Sequence, residues 1–211
     1  RSIAFYTHFF ISLLMRKPIF HLFVVAVTAL LFTSPSPAAT STELFNGKDL
    51  KGWTSTKTQG LAPWKVNEDY LEVVPGTGDI QTEMVFNDFD LHAEFWIPYL
   101  PEKSGQDRGN SGIFLQGRYE IQVLDTWAND TYLDGICGAL YKIIAPEFNA
   151  SLPPENWQTY DIHFTSPRVD PEGKVIEPGE VSVTLNGHLI IDRGHFDHPT
   201  GSAKKMKQGV P

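Results

Sequence analysis

The sequence predicts an all-β fold, an antiparallel β-sandwich or jelly roll, on three observations. Short runs rich in β-branched and aromatic residues recur between Gly, Pro, Asn and Asp. Outside the N-terminal apolar stretch, no window longer than ten residues keeps a helical period. Two positions carry hairpin signals: Asn186-Gly187 between Val181–Leu185 and His188–Ile191, and Gly117 between two apolar runs.

Residues 1–39 read as an address ahead of the domain. Met15-Arg16-Lys17 supplies a positive start, Ile19 to Phe32 is a largely apolar run, and Ser36-Pro37-Ala38 offers small residues for cleavage after Ala38 or Ala39. Arg1 to Leu14 precede Met15 and read as an upstream extension. The charged break at Arg16-Lys17 leaves apolar runs shorter than the roughly 20 residues that span a bilayer, so no stable membrane span is expected after cleavage. The expected location is periplasmic or secreted.

Residues 40–211 are long enough for one domain with a real core. Cys137 is the only cysteine, so no intrachain disulfide forms, and its setting between Ile136 and Gly138 reads as a small buried residue. A net charge of −8 does not suit a nucleic-acid partner. Strands are expected over Trp64 to Val74, Leu91 to Ile97, Ile113 to Gln116, Tyr119 to Leu124, Ala139 to Ile144, Trp157 to Phe164 and Val181 to Ile191. The segments from Ile97 to Asn110, Asp125 to Asp134 and Pro146 to Asn156 are loops that could wall a groove.

Most of the chemistry concentrates in Tyr119 to Asp125. Period-2 alternation puts Glu120, Gln122 and Leu124 on one face and Tyr119, Ile121 and Val123 on the other. With Gly117-Arg118 as a two-residue turn, Gln116 faces Tyr119, Leu115 faces Glu120 and Ile113 faces Gln122. A β-bulge after Gln122 would bring Asp125 to the Glu120 face and make a row of three polar groups.

The chain is similar to the 3-keto-disaccharide hydrolase domain family. The residues that carry the likeness are Leu44-Phe45-Asn46-Gly47-Lys48-Asp49-Leu50-Lys51-Gly52-Trp53, Trp64-Lys65-Val66, Phe89 to Phe95, Gly109-Asn110-Ser111-Gly112-Ile113-Phe114-Leu115, Tyr119 to Asp125, Gly138 to Tyr141, Asn156 to Tyr160 and Leu185-Asn186-Gly187. The resemblance implies a concanavalin A-like jelly roll. It also implies that the chain, which stops at Gly209-Val210-Pro211, is truncated at its C-terminal strand.

What the resemblance implies for function is cleavage of a glycoside oxidised at C3, by direct hydrolysis or by elimination followed by hydration. A C3 ketone acidifies the C2 proton, so the site needs a base near C2, a donor for the enolate-like oxygen and an acid for the departing oxygen. Glu120 is expected as base or acid, Asp125 as its partner and Gln122 as the group that orients a sugar hydroxyl. Arg108 and Asn110 would hold ketone or ring oxygens, Tyr141 would donate near the leaving group, and Trp127 would stack on a sugar face. No cofactor is required, although extracellular sandwiches often hold a structural calcium through loop carboxylates and carbonyls. The His195 and His198 spacing is weak as a metal signal.

Two other functions fit the same residues. Glu120-x-Gln122-x-x-Asp125 resembles the Glu-x-Asp-x-x-Glu strand of retaining β-glucanases, with an amide in place of the middle acid and a shorter last acid. A non-catalytic sugar-binding module would use the same concave face with its Trp and Asn residues. Plainer roles compete residue by residue. Arg108 could pair with Asp107 or Glu102 on the surface, Tyr141 and Trp157 could be core, and Glu94 could be a second carboxylate or an outward strand residue. Trp53 is expected to pin the N-terminal segment.

Overall fold

The computed structural model describes residues 4–5, 10–13 and 40–201. Its largest element is an antiparallel nine-stranded sheet. The strands are β1 (Ala4–Phe5), β2 (Phe10–Leu13), β3 (Thr40–Glu43), β4 (Trp53–Ser55), β5 (Lys65–Asn67), β6 (Tyr70–Glu72), β7 (Ile80–Thr82), β8 (Phe89–Trp96), β9 (Ser111–Leu115) and β10 (Tyr119–Val123). They continue as β11 (Trp157–Thr165), β12 (Arg168–Val169), β13 (Val175–Glu177), β14 (Gly179–Leu185) and β15 (His188–Phe196). The main sheet runs β15-β14-β11-β8-β1-β6-β5, with β2 paired to both β3 and β8.

β8 alternates buried and half-buried residues along its whole length, as a half-buried strand should. Leu91, Ala93 and Phe95 point inward, while Asp90, His92 and Glu94 point outward, so Glu94 is an outward strand residue. Asn186-Gly187 makes the expected tight turn between β14 and β15, with φ of 52° and 79°. The core lies between this sheet and the β9–β10 hairpin. Tyr119 packs 4.7 Å from Phe196 and 5.6 Å from Phe164 between ring centroids, and Phe95 stacks on Tyr160 at 4.8 Å. Tyr119, Ile121 and Val123 are fully buried in that core, which turns the other face of β10 away from it.

Several expectations change. The hairpin closes with three residues, not two: Leu115 faces Tyr119, Phe114 faces Glu120 and Gly112 faces Gln122. Gln116 and Gly117 take φ of 53° and 64°. Gln116 is drawn out of the strand because its amide donates to the Phe86 carbonyl at 3.0 Å and accepts from Ser166 Oγ at 3.1 Å. The observed register also keeps Leu115 and Tyr119 together on the core side, where the expected one would have put Leu115 beside Glu120. No bulge interrupts the pairing up to Val123.

Ala139 to Ile144 is not a continuous strand, because Lys142 takes a φ of 62° and Leu140 closes a turn to Ile143 and Ile144. Gly138 to Tyr141 still hydrogen-bonds along β10. Trp64 to Val74 divides into β5 and β6 at Glu68, whose φ is 55°.

β1 and β2 come from the stretch read as an upstream extension, and both pair with β8. The apolar run Ile19 to Phe32, the cleavage position at Ala38 or Ala39 and the terminus Gly209 to Pro211 lie outside the described residues. Among the described residues, no helix is long and apolar enough to cross a membrane. Cys137 is fully buried, and Trp53 donates to the Leu44 carbonyl at 2.8 Å, which pins the N-terminal segment.

Candidate active site

Glu120 is the second residue of β10 and sits on the face opposite the core. On the side away from β9, its carbonyl accepts the Tyr141 N–H at 2.9 Å. Its own N–H donates to Thr200 Oγ1 at 2.9 Å. These two contacts bring Tyr141 and the Thr200-Gly201 segment beside its carboxylate. A Cβ on Gly201 would lie 3.5 Å from Tyr141 Cδ1 and 3.8 Å from Glu120 Oε2. Gly112 makes the room on the other flank: a Cβ there would come within 2.5 Å of Glu120 Oε1.

The carboxylate is half-buried and takes no hydrogen bond from any described residue. Burial, with a smaller contribution from the negative charge of Asp79, pushes its pKa up from 4.5 to about 7. A carboxyl that titrates near neutrality and has no internal donor is suited to taking or giving a proton.

Tyr141 lies with its hydroxyl 2.7 Å from that of Tyr132. Burial and the Tyr141 hydrogen bond raise the Tyr132 pKa, so this phenol stays neutral. One hydroxyl donates to the other, and the pair keeps one O–H for a ligand. Lys142 Nζ stands 3.0 Å from the Tyr132 ring centroid and 3.3 Å from Asp134 Oδ1. Tyr132, Lys142 and Thr200 were not singled out from sequence, and Gly112 stood out only as part of the Gly109 to Leu115 stretch that carries the resemblance.

Gln122 follows Glu120 on the same face but is 1% exposed. Its amide nitrogen donates to Gln106 Oε1 at 2.9 Å and approaches the Gly135 carbonyl at 3.4 Å. Gln106 in turn donates to Thr131 Oγ1 and the Gly135 carbonyl. The amide expected to orient a sugar therefore ties two loops together. Its Oε1 is buried with no partner among the described residues.

Asp125 departs further from expectation. Its side chain is 1% exposed and lies 2.8 Å from Arg108 Nε, with Arg108 Nη2 donating to its other oxygen at 3.2 Å. The Nε contact is close but poorly aligned, so both atoms lack a well-formed hydrogen bond. The Trp127 N–H also donates to Asp125 at 3.1 Å, and Arg108 Nη2 reaches the Trp127 carbonyl. Asp125 is thus neutralised by Arg108 and not joined to Glu120, because without a bulge nothing returns it to that face. Arg108 pairs with neither Asp107 nor Glu102. Asn110 is exposed, and its amide donates to the Gln106 carbonyl at 2.8 Å.

Arg108, Asp125 and Trp127 line a separate cleft with Tyr99, Ala128, Pro153, Pro154 and Glu155. The sequence-predicted residues therefore divide into two places, Glu120 with Tyr141 and Arg108 with Asp125 and Trp127. His195 lies 3.9 Å from Glu180 and His198 2.7 Å from Asp197. Among the described residues, no group of three His, Cys, Asp or Glu side chains is arranged to hold a metal ion.

The family model for the 3-keto-alpha-glucoside-1,2-lyase-like domain matches residues 40–210. A crystal structure of a "putative glycosyl hydrolase" from Parabacteroides distasonis ATCC 8503 is 40% identical, with a TM-score of 0.73 over 79% of this chain and 72% of the other. A second structure with that description, from the same organism, is 18% identical with a TM-score of 0.51 over 79% and 76%, and shows the fold alone. No curated protein matches.

Proposed function

Because the chain belongs to the family of 3-keto-alpha-glucoside-1,2-lyase-like domains, we propose that it cleaves glycosides oxidised at C3, with Glu120 as the base. The observation that carries this reading is a half-buried carboxylate with a pKa of about 7 and no described donor, set beside the Tyr132–Tyr141 pair.

The chemistry follows from the substrate. Glu120 takes the C2 proton, and the electron pair moves toward the C3 carbonyl oxygen, where the free O–H of the tyrosine pair donates a hydrogen bond to the developing charge. Collapse of this enolate forms the C1–C2 double bond and breaks the C1–O bond, and the protonated Glu120 returns its proton to the departing oxygen. Water then adds to the unsaturated sugar, which completes a net hydrolysis. A carboxylate whose pKa is raised to about 7 suits this step, since one of ordinary acidity would hold a carbon-derived proton poorly.

The β-glucanase alternative needs two carboxyls acting together across one bond, and Asp125 is sealed in its ion pair. The test is reducing-end release from a disaccharide, its 3-keto counterpart and a β-glucan. Turnover of the keto sugar alone, lost in Glu120→Gln, is the expected result; turnover of the plain glucan would overturn it. The reading also includes export to the periplasm or beyond, with the mature chain beginning at Ala39 or Thr40 by N-terminal sequencing. A structural calcium in the loops would show as a lower melting temperature in EDTA.

A further inference from the structure

Lys142 takes a φ of 62°, in the left-handed region that a residue with a side chain enters at a cost. Contacts to one neighbour hold it there. Its N–H donates to the Asp134 carbonyl at 2.8 Å, and its Nζ lies 3.3 Å from Asp134 Oδ1. With backbone and side chain both moored to Asp134, the ammonium sits 3.0 Å from the Tyr132 ring centroid and 5.9 Å from that of Tyr141.

Two further contacts seat the Tyr132 ring. A Cβ on Gly135 would lie 1.8 Å from Tyr132 Cε2, so the ring fills the space that a side chain there would need. Its hydroxyl meets that of Tyr141 at 2.7 Å. Yet Tyr132 is 38% exposed, and burial alone gives such a ring only part of what would hold it on a loop. The contacts serve its orientation more than the core.

We propose that Lys142 sets the direction of the Tyr132–Tyr141 hydrogen bond, so that Tyr132 donates, Tyr141 accepts, and the Tyr141 O–H is the one offered to a substrate oxygen. This deepens the proposed function, and rests on it only for the reaction that this O–H serves. A cation over a phenol ring favours negative charge on that ring and its oxygen, so Tyr132 is the stronger donor of the two. A hydroxyl that accepts a hydrogen bond becomes a stronger donor in turn, so the polarisation passes to Tyr141. Lys142 touches no substrate in this scheme and is a positioning residue that acts through Tyr132. Burial and Asp79 raise the Glu120 pKa, so Lys142 works on the donor and not on the base.

Two readouts test this in the full chain, and the first needs no turnover. In protein labelled with 3-fluorotyrosine, the fluorine makes each phenol more acidic and brings its titration within reach. The Tyr132 resonance is identified by its loss in Tyr132→Phe. Its titration midpoint should rise by about half a pH unit or more in Lys142→Met. In Lys142→Arg, which keeps a cation on the ring, it should stay close to its original value. An unmoved or lowered midpoint in Lys142→Met would overturn the proposal whether or not the protein cleaves 3-keto sugars.

On a 3-keto disaccharide, Lys142→Met should lower kcat about tenfold with KM within about twofold of its original value. The inflection from Glu120 at about pH 7 should not move. Tyr132→Phe should show a similar loss, and adding Lys142→Met to it should cost less than about twofold more, because the cation acts through that ring. The loss in Tyr141→Phe should exceed both. Multiplied losses in the double variant, a raised KM with kcat intact, or a larger loss in Tyr132→Phe than in Tyr141→Phe would each contradict the assignment. Failure of Glu120 as base would show instead as activity kept in Glu120→Gln, and would leave the fluorine titration as it is.

Discussion

Glu120 and Asp125 lie five residues apart on one segment, yet their surroundings are opposite in kind. Glu120 has desolvation without a donor, and its proton is held up to about pH 7. Asp125 has a guanidinium and a backbone N–H at its carboxylate. Burial alone does not mark a catalytic acid; burial without compensation does. A paired buried carboxylate is a structural element, whose removal leaves a stranded charge.

The contrast is broken most sharply by two substitutions with different readouts. Glu120→Gln should cut turnover of a 3-keto glycoside by about 10²- to 10⁴-fold with the fold retained. Asp125→Ala should instead cost about 3–5 kcal/mol of stability, because Arg108 stays buried without its partner. Denaturant melts measure that cost, and the double variant Arg108→Met with Asp125→Leu should regain much of it. A stable Asp125→Ala protein with lost activity would reverse the two assignments.

A smaller effect comes from position. Gly112→Ala places a Cβ 2.5 Å from Glu120 Oε1, so the carboxylate must turn aside. Activity should fall by about tenfold or more while the melting temperature changes little, since the atom that yields ends a flexible side chain.

The smallest expected effect is on stability against pH. Glu120 holds its proton to about pH 7 in the folded chain and to about 4.5 when unfolded. The folded state therefore binds more protons between these values, and stability falls as pH rises through that window. Glu120→Gln should remove this decline. Screening of a half-exposed group reduces the gain above pH 7 to about 1 kcal/mol, or about 2–4 °C in melting temperature. Equal melting temperatures of the two proteins at pH 8 would place Glu120 in an ordinary solvated setting.

Much of the fold was legible in the sequence because it rests on local signals. The alternation in β8 and β10 follows from side-chain period, and the Asn186-Gly187 turn from its need for positive φ. The Gln116 loop was not legible, since a left-handed Gln is fixed by distant contacts to Phe86 and Ser166. Of the candidate site, the neighbourhood of Glu120 and Tyr141 was legible, because both lie along the β10 edge. The site was not legible at Gln122, whose burial depends on Gln106 from another loop, or at Asp125, whose partner Arg108 sits 17 positions away. Tyr132 escaped notice because nothing local says that a loop tyrosine will meet Tyr141.

The most direct test of Glu120 as the proton acceptor is turnover of a 3-keto disaccharide in D2O, with the released keto sugar examined by NMR. Deuterium at C2 of the product, with the reaction lost in Glu120→Gln, is the predicted result. Product that keeps its original C2 proton, or deuterium uptake undiminished in Glu120→Gln, would contradict the account.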